Sequence, residues 1–103
     1  MKYLLIITKD TGQSQKFIRE LPKYIEEIHH EICVEFAFYP EYEEKATQKE
    51  WTAIGLSPEL LVENKATHAR LLEMGVKAPI KNIRGVHFGI RRYDLIFEAL
   101  LGS

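Results

Sequence analysis

The chain reads as one α/β domain built on a small mixed sheet of four strands, with helices on both faces. Three features predict this: a continuous apolar run at residues 3–8, a helical apolar stripe directly after it, and an alternating segment at residues 32–39. A strand–helix–strand opening of this kind folds as a βαβ unit. At 103 residues and 12.0 kDa, the chain holds material for a single domain over 1–103 and none for a second core.

Tyr3-Leu4-Leu5-Ile6-Ile7-Thr8 has the pattern of a strand covered on both sides. The chain turns over residues 9–12, and the first helix is expected over residues 13–30. Phe17, Ile18, Leu21, Tyr24, Ile25 and Ile28 form its apolar stripe, and Glu20, Lys23, Glu26, Glu27 and Glu31 fall mainly on the other side. Thr11 is placed to cap it, because its hydroxyl reaches an orphan amide of the first turn. Pro22 removes one backbone donor inside the stripe, which predicts a kink rather than two helices.

The second strand alternates, with Ile32, Val34, Phe36 and Phe38 on one face, and Pro40 ends it. Residues 41–45 are acidic, lack a core stripe and are expected to be exposed. Residues 48–56 are expected as a short helix anchored by Trp51 and ended by Gly55. Ser57-Pro58-Glu59 then opens another helix, with a capping hydroxyl, proline at the first position and a carboxylate in the first turn. Its alternative start is Asn64. It stops near Met74, with Gly75 in the left-handed position. Residues 80–83 and 86–88 are expected as a hairpin around Arg84-Gly85. Tyr93, Leu95, Ile96, Leu100 and Leu101 make a last helix that ends at Gly102.

Composition narrows the function classes. The single Cys33 permits neither an internal disulfide nor an all-thiolate zinc site. The apolar run near the start is too short for a membrane span or a signal-peptide core, so a cytoplasmic protein without membrane attachment is expected. A net charge of −1 exerts no global pull on nucleic acid. Residues 1–64 carry 7 basic and 12 acidic side chains, while residues 65–103 carry 7 and 3. That polarity is either two faces of one monomer or a basis for association of copies.

Several of these features resemble the thioredoxin-like superfamily over nearly the whole chain. They are the Thr11-Gly12-Gln13-Ser14 junction, the proline inside the first helix, Pro79 ahead of the hairpin, and the Gly85/Gly89 spacing. The resemblance implies a β-α-β-α-β-β-α order and a cis bond before Pro79, beside the junction. It also implies that Thr11 and Ser14 stand where the superfamily keeps Cys-x-x-Cys, and hydroxyls do not cycle electrons. Val62-Glu63-Asn64, Leu71-Leu72, Gly75-Val76, Ala78-Pro79, Gly85-Val86, Gly89 and Arg91 are similar to the second half of the arsenical-resistance metallochaperone and repressor proteins called ArsD. This chain lacks the early thiols with which those proteins hold trivalent arsenic, and its residue 75–79 loop is one residue short of their pattern.

The candidate ligand- or partner-binding residues are therefore Thr11, Gly12, Ser14, Pro79, Arg84, Arg91 and Arg92. Hydroxyls and amides at a helix start bind an anion or a partner backbone, although the same residues serve as an ordinary cap. Arg84, His87, Arg91 and Arg92, with Lys77 and Lys81, form the densest basic region. No stacking-aromatic motif or glycine-rich phosphate loop accompanies it, so nucleic acid is not the expected partner. Cys33 lies inside a strand, where a packed thiol is the ordinary state. His29 and His30 diverge by roughly 100° on a helix and do not share one metal; His68 and His87 lack ligand partners. No metal, no cofactor and no catalytic residue is expected. Tyr39, Tyr42 and Trp51 are either interface anchors or core cover. The resulting expectation is a redox-inactive protein-binding or regulatory module, with a homodimer among its assemblies. The alternatives are a one-cysteine thiol enzyme using Cys33 and a nucleic-acid accessory protein using the basic hairpin.

Overall fold

A computed structural model describes residues 2–28, 31–39, 41–60, 62–90 and 92–102. The expectations for His29, His30, Pro40, Arg91 and the side chain of Ile28 lie outside the described residues. In chain order the elements are β1 (Lys2–Thr8), α1 (Gly12–Ile28), β2 (Ile32–Phe38), α2 (Glu43–Ala46), β3 (Ala53–Leu56), a 3-10 turn (Pro58–Leu60), α3 (Asn64–Glu73), β4 (Ile80–Asn82), α4 (Gly85–Gly89) and α5 (Tyr93–Leu101).

The sheet order is β2-β1-β3-β4, and every pairing is parallel. Parallel neighbours cannot be joined by a tight turn, so each connection crosses a face of the sheet. Side-chain alternation along β1 shows which face is which. Leu4 and Ile6 join Phe17 and Leu21 of α1 and Ile96 and Leu100 of α5. Leu5 and Ile7 join Tyr42 and Ala46 around α2, Leu60 of the 3-10 turn, and Leu71 of α3. All four β1 residues have no exposed surface, which explains the unbroken apolar run.

The α/β class, the helices on both faces, β1, β2 and α5 are as expected. The mixed sheet is corrected to an all-parallel one. The expected hairpin does not form: β4 pairs in parallel with β3, placing Ile54 opposite Ile80, and residues 86–88 lie in α4. The thioredoxin-like order rested on that hairpin. Residues 53–56, expected within a helix, are instead a strand with all four residues buried. Ala-Ile-Gly-Leu has no polar side to turn toward water, so a central strand suits it and a surface helix does not. Gly55 also belongs there for a steric reason, since a Cβ would come within 3.1 Å of Leu100 of α5.

The helix of this region is α2, in the acidic segment expected to be exposed and without a core stripe; Tyr42 and Ala46 anchor it in the core. Ser57-Pro58-Glu59 opens only a 3-10 turn, and the longer helix starts at Asn64, the alternative position. Helix α1 runs as one element through Pro22, which faces solvent. The Ser14 amide donates to Thr11 Oγ1 at 3.2 Å, as expected of a capping threonine. Gly75 has φ +83, and the Gly75 and Val76 amides close back on Leu72 and Leu71, a Schellman ending.

Candidate functional site

In a sheet of this order the helix after β1 and the helix after β3 leave toward opposite faces. A crevice opens between their first loops at the carboxyl edge, the usual ligand position in open α/β sheets. Here the crevice is closed by the chain's own side chains. Thr8 Oγ1, at the last residue of β1, donates to Glu59 Oε1 at 3.0 Å. Thr11 Oγ1 donates to Glu59 Oε2 in a very short contact. Glu59 is aimed by its own turn, because its amide donates to Ser57 Oγ at 3.1 Å. A second bridge joins Lys9 Nζ to Glu63 Oε1 at 2.8 Å. The Lys9 ammonium holds the Glu63 carboxyl below its usual range.

Ser14 is fully buried beneath this clasp. Its hydroxyl donates to the Lys9 carbonyl at 2.5 Å and accepts from the Thr11 amide at 2.9 Å. Ser14 therefore shapes the loop and offers nothing outward, whereas Gly12 and Gln13 are exposed at the start of α1.

Helix α4 crosses the same edge. A Cβ on Gly85, its first residue, would lie 3.8 Å from Pro58, and one on Gly89, its last, would lie 3.7 Å from Gln13 Nε2. Phe88 anchors it, buried and stacked on Phe17 of α1 with ring centroids 4.6 Å apart. Val86 and Ile90, one helical turn apart, point away and are 55% and 61% exposed; Val62, in the loop before α3, is 88% exposed. Three of the four large apolar side chains exposed among the described residues thus lie around this edge, and only Leu72 is elsewhere.

The candidate residues separate accordingly. Thr11, Gly12, Ser14 and Arg84 lie along the carboxyl edge, the first three after β1 and Arg84 after β4, where it leads into α4. Arg92 follows in the link to α5 and is ion-paired with Asp94 at 3.0 Å. Pro79 is at the opposite edge, just before β4, where its carbonyl accepts from the Ile54 amide. It does not border the junction, so the joint surface expected of residues 11–14 and Pro79 is not formed. Cys33 pairs with Tyr3 near the beginning of β1, also far from the helix start. The basic region disperses as well: Lys81 Nζ donates to the Gly102 carbonyl at 2.7 Å, and Lys77 lies near Pro79.

No protein-family model matches the chain, and no curated protein matches it. Among solved structures the chain has a neighbour of similar fold. That neighbour is the lactose-specific IIB component domain of the phosphoenolpyruvate:carbohydrate phosphotransferase system from Streptococcus pneumoniae. The TM-score is 0.63 at 12% identity, over 95% of this chain and 96% of the neighbour. At that identity the likeness is one of fold.

The residues that sequence reasoning missed are Thr8, Val62, Val86 and Ile90, together with the true role of Glu59. Their signal was the Ser-Pro-Glu turn directly after a strand, which was hidden while residues 53–56 were read as a helix. Chemically, the edge offers hydroxyls already donating to a carboxylate. The Glu59 carboxylate accepts from Thr8 and Thr11, and its negative charge opposes the approach of any anionic group. Among the described residues no cluster of three or more His, Cys, Asp or Glu is arranged to hold a metal ion. Among the described residues no helix is long and apolar enough to cross a membrane.

Proposed function

We propose that this chain is a cytoplasmic binding module that docks a protein partner at the carboxyl edge of its sheet, without thiol redox chemistry. The observation that carries the reading is the pairing of a crevice filled by Glu59 with an exposed apolar rim of Val62, Val86 and Ile90. Glu59 occupies the crevice between β1 and β3, and the hollow that remains at this edge, about 340 Å³ beside β4, is the smaller of the two clefts described. An apolar rim around it has the character of an interface, with Arg84, which forms no ion pair among the described residues, as a polar contact. The structural neighbour is itself one component of a multi-component system, a setting in which protein contacts are the rule. Cys33 at the far edge counts against the one-cysteine enzyme, and the dispersed basic residues count against a nucleic-acid role. A second copy of this chain is the other candidate occupant of the rim.

The test is the double variant Val86→Glu, Ile90→Glu, used as bait beside the wild-type chain. Both sites are exposed, so folding stability stays within about 0.5 kcal/mol per site, while partner recovery falls by at least tenfold. Equal recovery by both baits overturns the reading, as does thiol–disulfide exchange by the purified protein that Cys33→Ser abolishes.

A further inference from the structure

The amino edge of the sheet carries a hollow that the docking reading does not use. The connections α2–β3 and α3–β4 diverge there and leave a cleft of about 560 Å³, within the size range of small-molecule sites. Trp51, Met74, Val76 and Pro79 supply its apolar walls, and Lys49, Glu50 and Lys77 its rim. Trp51 is fixed in place, since its Nε1 donates to the Ala46 carbonyl at 3.2 Å.

The polar groups around the cleft are unequal. Lys49 is already committed: its Nζ lies 2.6 Å from Glu35 Oε2 and 5.4 Å from the Trp51 ring centroid. Together with Lys45, it holds the Glu35 carboxyl below its ordinary range. Lys77 forms no ion pair among the described residues, and neither its amide nor that of Ala78 donates a hydrogen bond there. On the α3–β4 side of the cleft one ammonium and two amides thus have no protein acceptor among the described residues. Glu50 stands on the other connection, where it repels a second negative charge.

We propose that this cleft binds small aromatic carboxylic acids as monoanions. The ring lies against Met74, Val76 and the small accessible part of Trp51, which is 6% exposed, and the carboxylate accepts from Lys77 and the neighbouring loop amides. An apolar wall with a few convergent donors at one end is the arrangement that orients such a ligand.

Trp51 is the only tryptophan in the chain, so its fluorescence reads this cleft directly. The probe is 3-phenylpropionate, with uncharged 3-phenylpropionamide as its control, titrated into the wild type and Lys77→Glu. Lys77 is exposed, and an unchanged unfolding midpoint verifies that the variant folds. The expected result is a saturable change with the carboxylate, at least tenfold weaker with the amide or with Lys77→Glu. Absence of saturation up to ~10 mM, corresponding to a free energy weaker than about −3 kcal/mol, overturns the proposal. Equal binding of the carboxylate and the amide, or by Lys77→Glu, overturns it as well. The Val86→Glu, Ile90→Glu variant retains full binding, because this site is independent of the docking edge.

Discussion

Glu59 has both carboxylate oxygens engaged by hydroxyls from across the switch point, one from Thr8 and one from Thr11. Thr8 is only 2% exposed, so losing its acceptor leaves a buried donor without a partner. Glu59→Ala is expected to lower stability by about 1–3 kcal/mol, the usual cost of an orphaned buried polar group. Glu59→Gln keeps an acceptor oxygen and is expected to lose less than half as much. Urea unfolding of the two variants checks this, and equal losses would show that the hydroxyl bonds are not what Glu59 supplies. The cap by Thr11 was legible because a capping oxygen and its amide lie within one turn of sequence. The Thr8–Glu59 contact was not, because it spans 51 residues and exists only once β1 and β3 are neighbours.

Element by element, legibility followed periodicity. β1 and α1 were readable because each has a long apolar pattern with one clear period. β3 was not: four residues carry too little pattern to separate a buried strand from a helix, and Gly55 resembled a helix stop. That one misreading propagated. Without β3 in the sheet, residues 80–83 had no partner strand except 86–88, and a hairpin followed. In the folded chain β3 takes β4, and α4 is freed to close the carboxyl edge. Its hold there is Phe88, stacked on Phe17, which also meets Tyr93 edge-on at 5.3 Å. Phe88→Ala is expected to cost about 3–5 kcal/mol, as for other buried phenylalanines, whereas Val86→Ala on the outer side costs under about 0.5 kcal/mol. Chemical denaturation separates the two, and comparable effects would mean that α4 is not anchored as described.

Over the whole molecule, the two ends of the sheet are divided in character. At the carboxyl edge side chains bridge the crevice between β1 and β3, exposed apolar residues rim it, and a hollow of about 340 Å³ remains beside β4, whereas the amino edge keeps a larger cleft beside Trp51. Sequence reasoning reached residues 11–14 of the first edge through helix-start chemistry, and Arg84 through the density of basic residues around it. The thioredoxin-like resemblance joined them to Pro79, which a parallel β4 instead carries to the opposite end. The most direct measurement of the docking account is in-cell photo-crosslinking from a benzoylphenylalanine placed at position 86, compared with one at position 77. The account predicts one dominant protein adduct from position 86 and none of it from position 77. The same adduct from both positions, or no adduct from position 86, would contradict it.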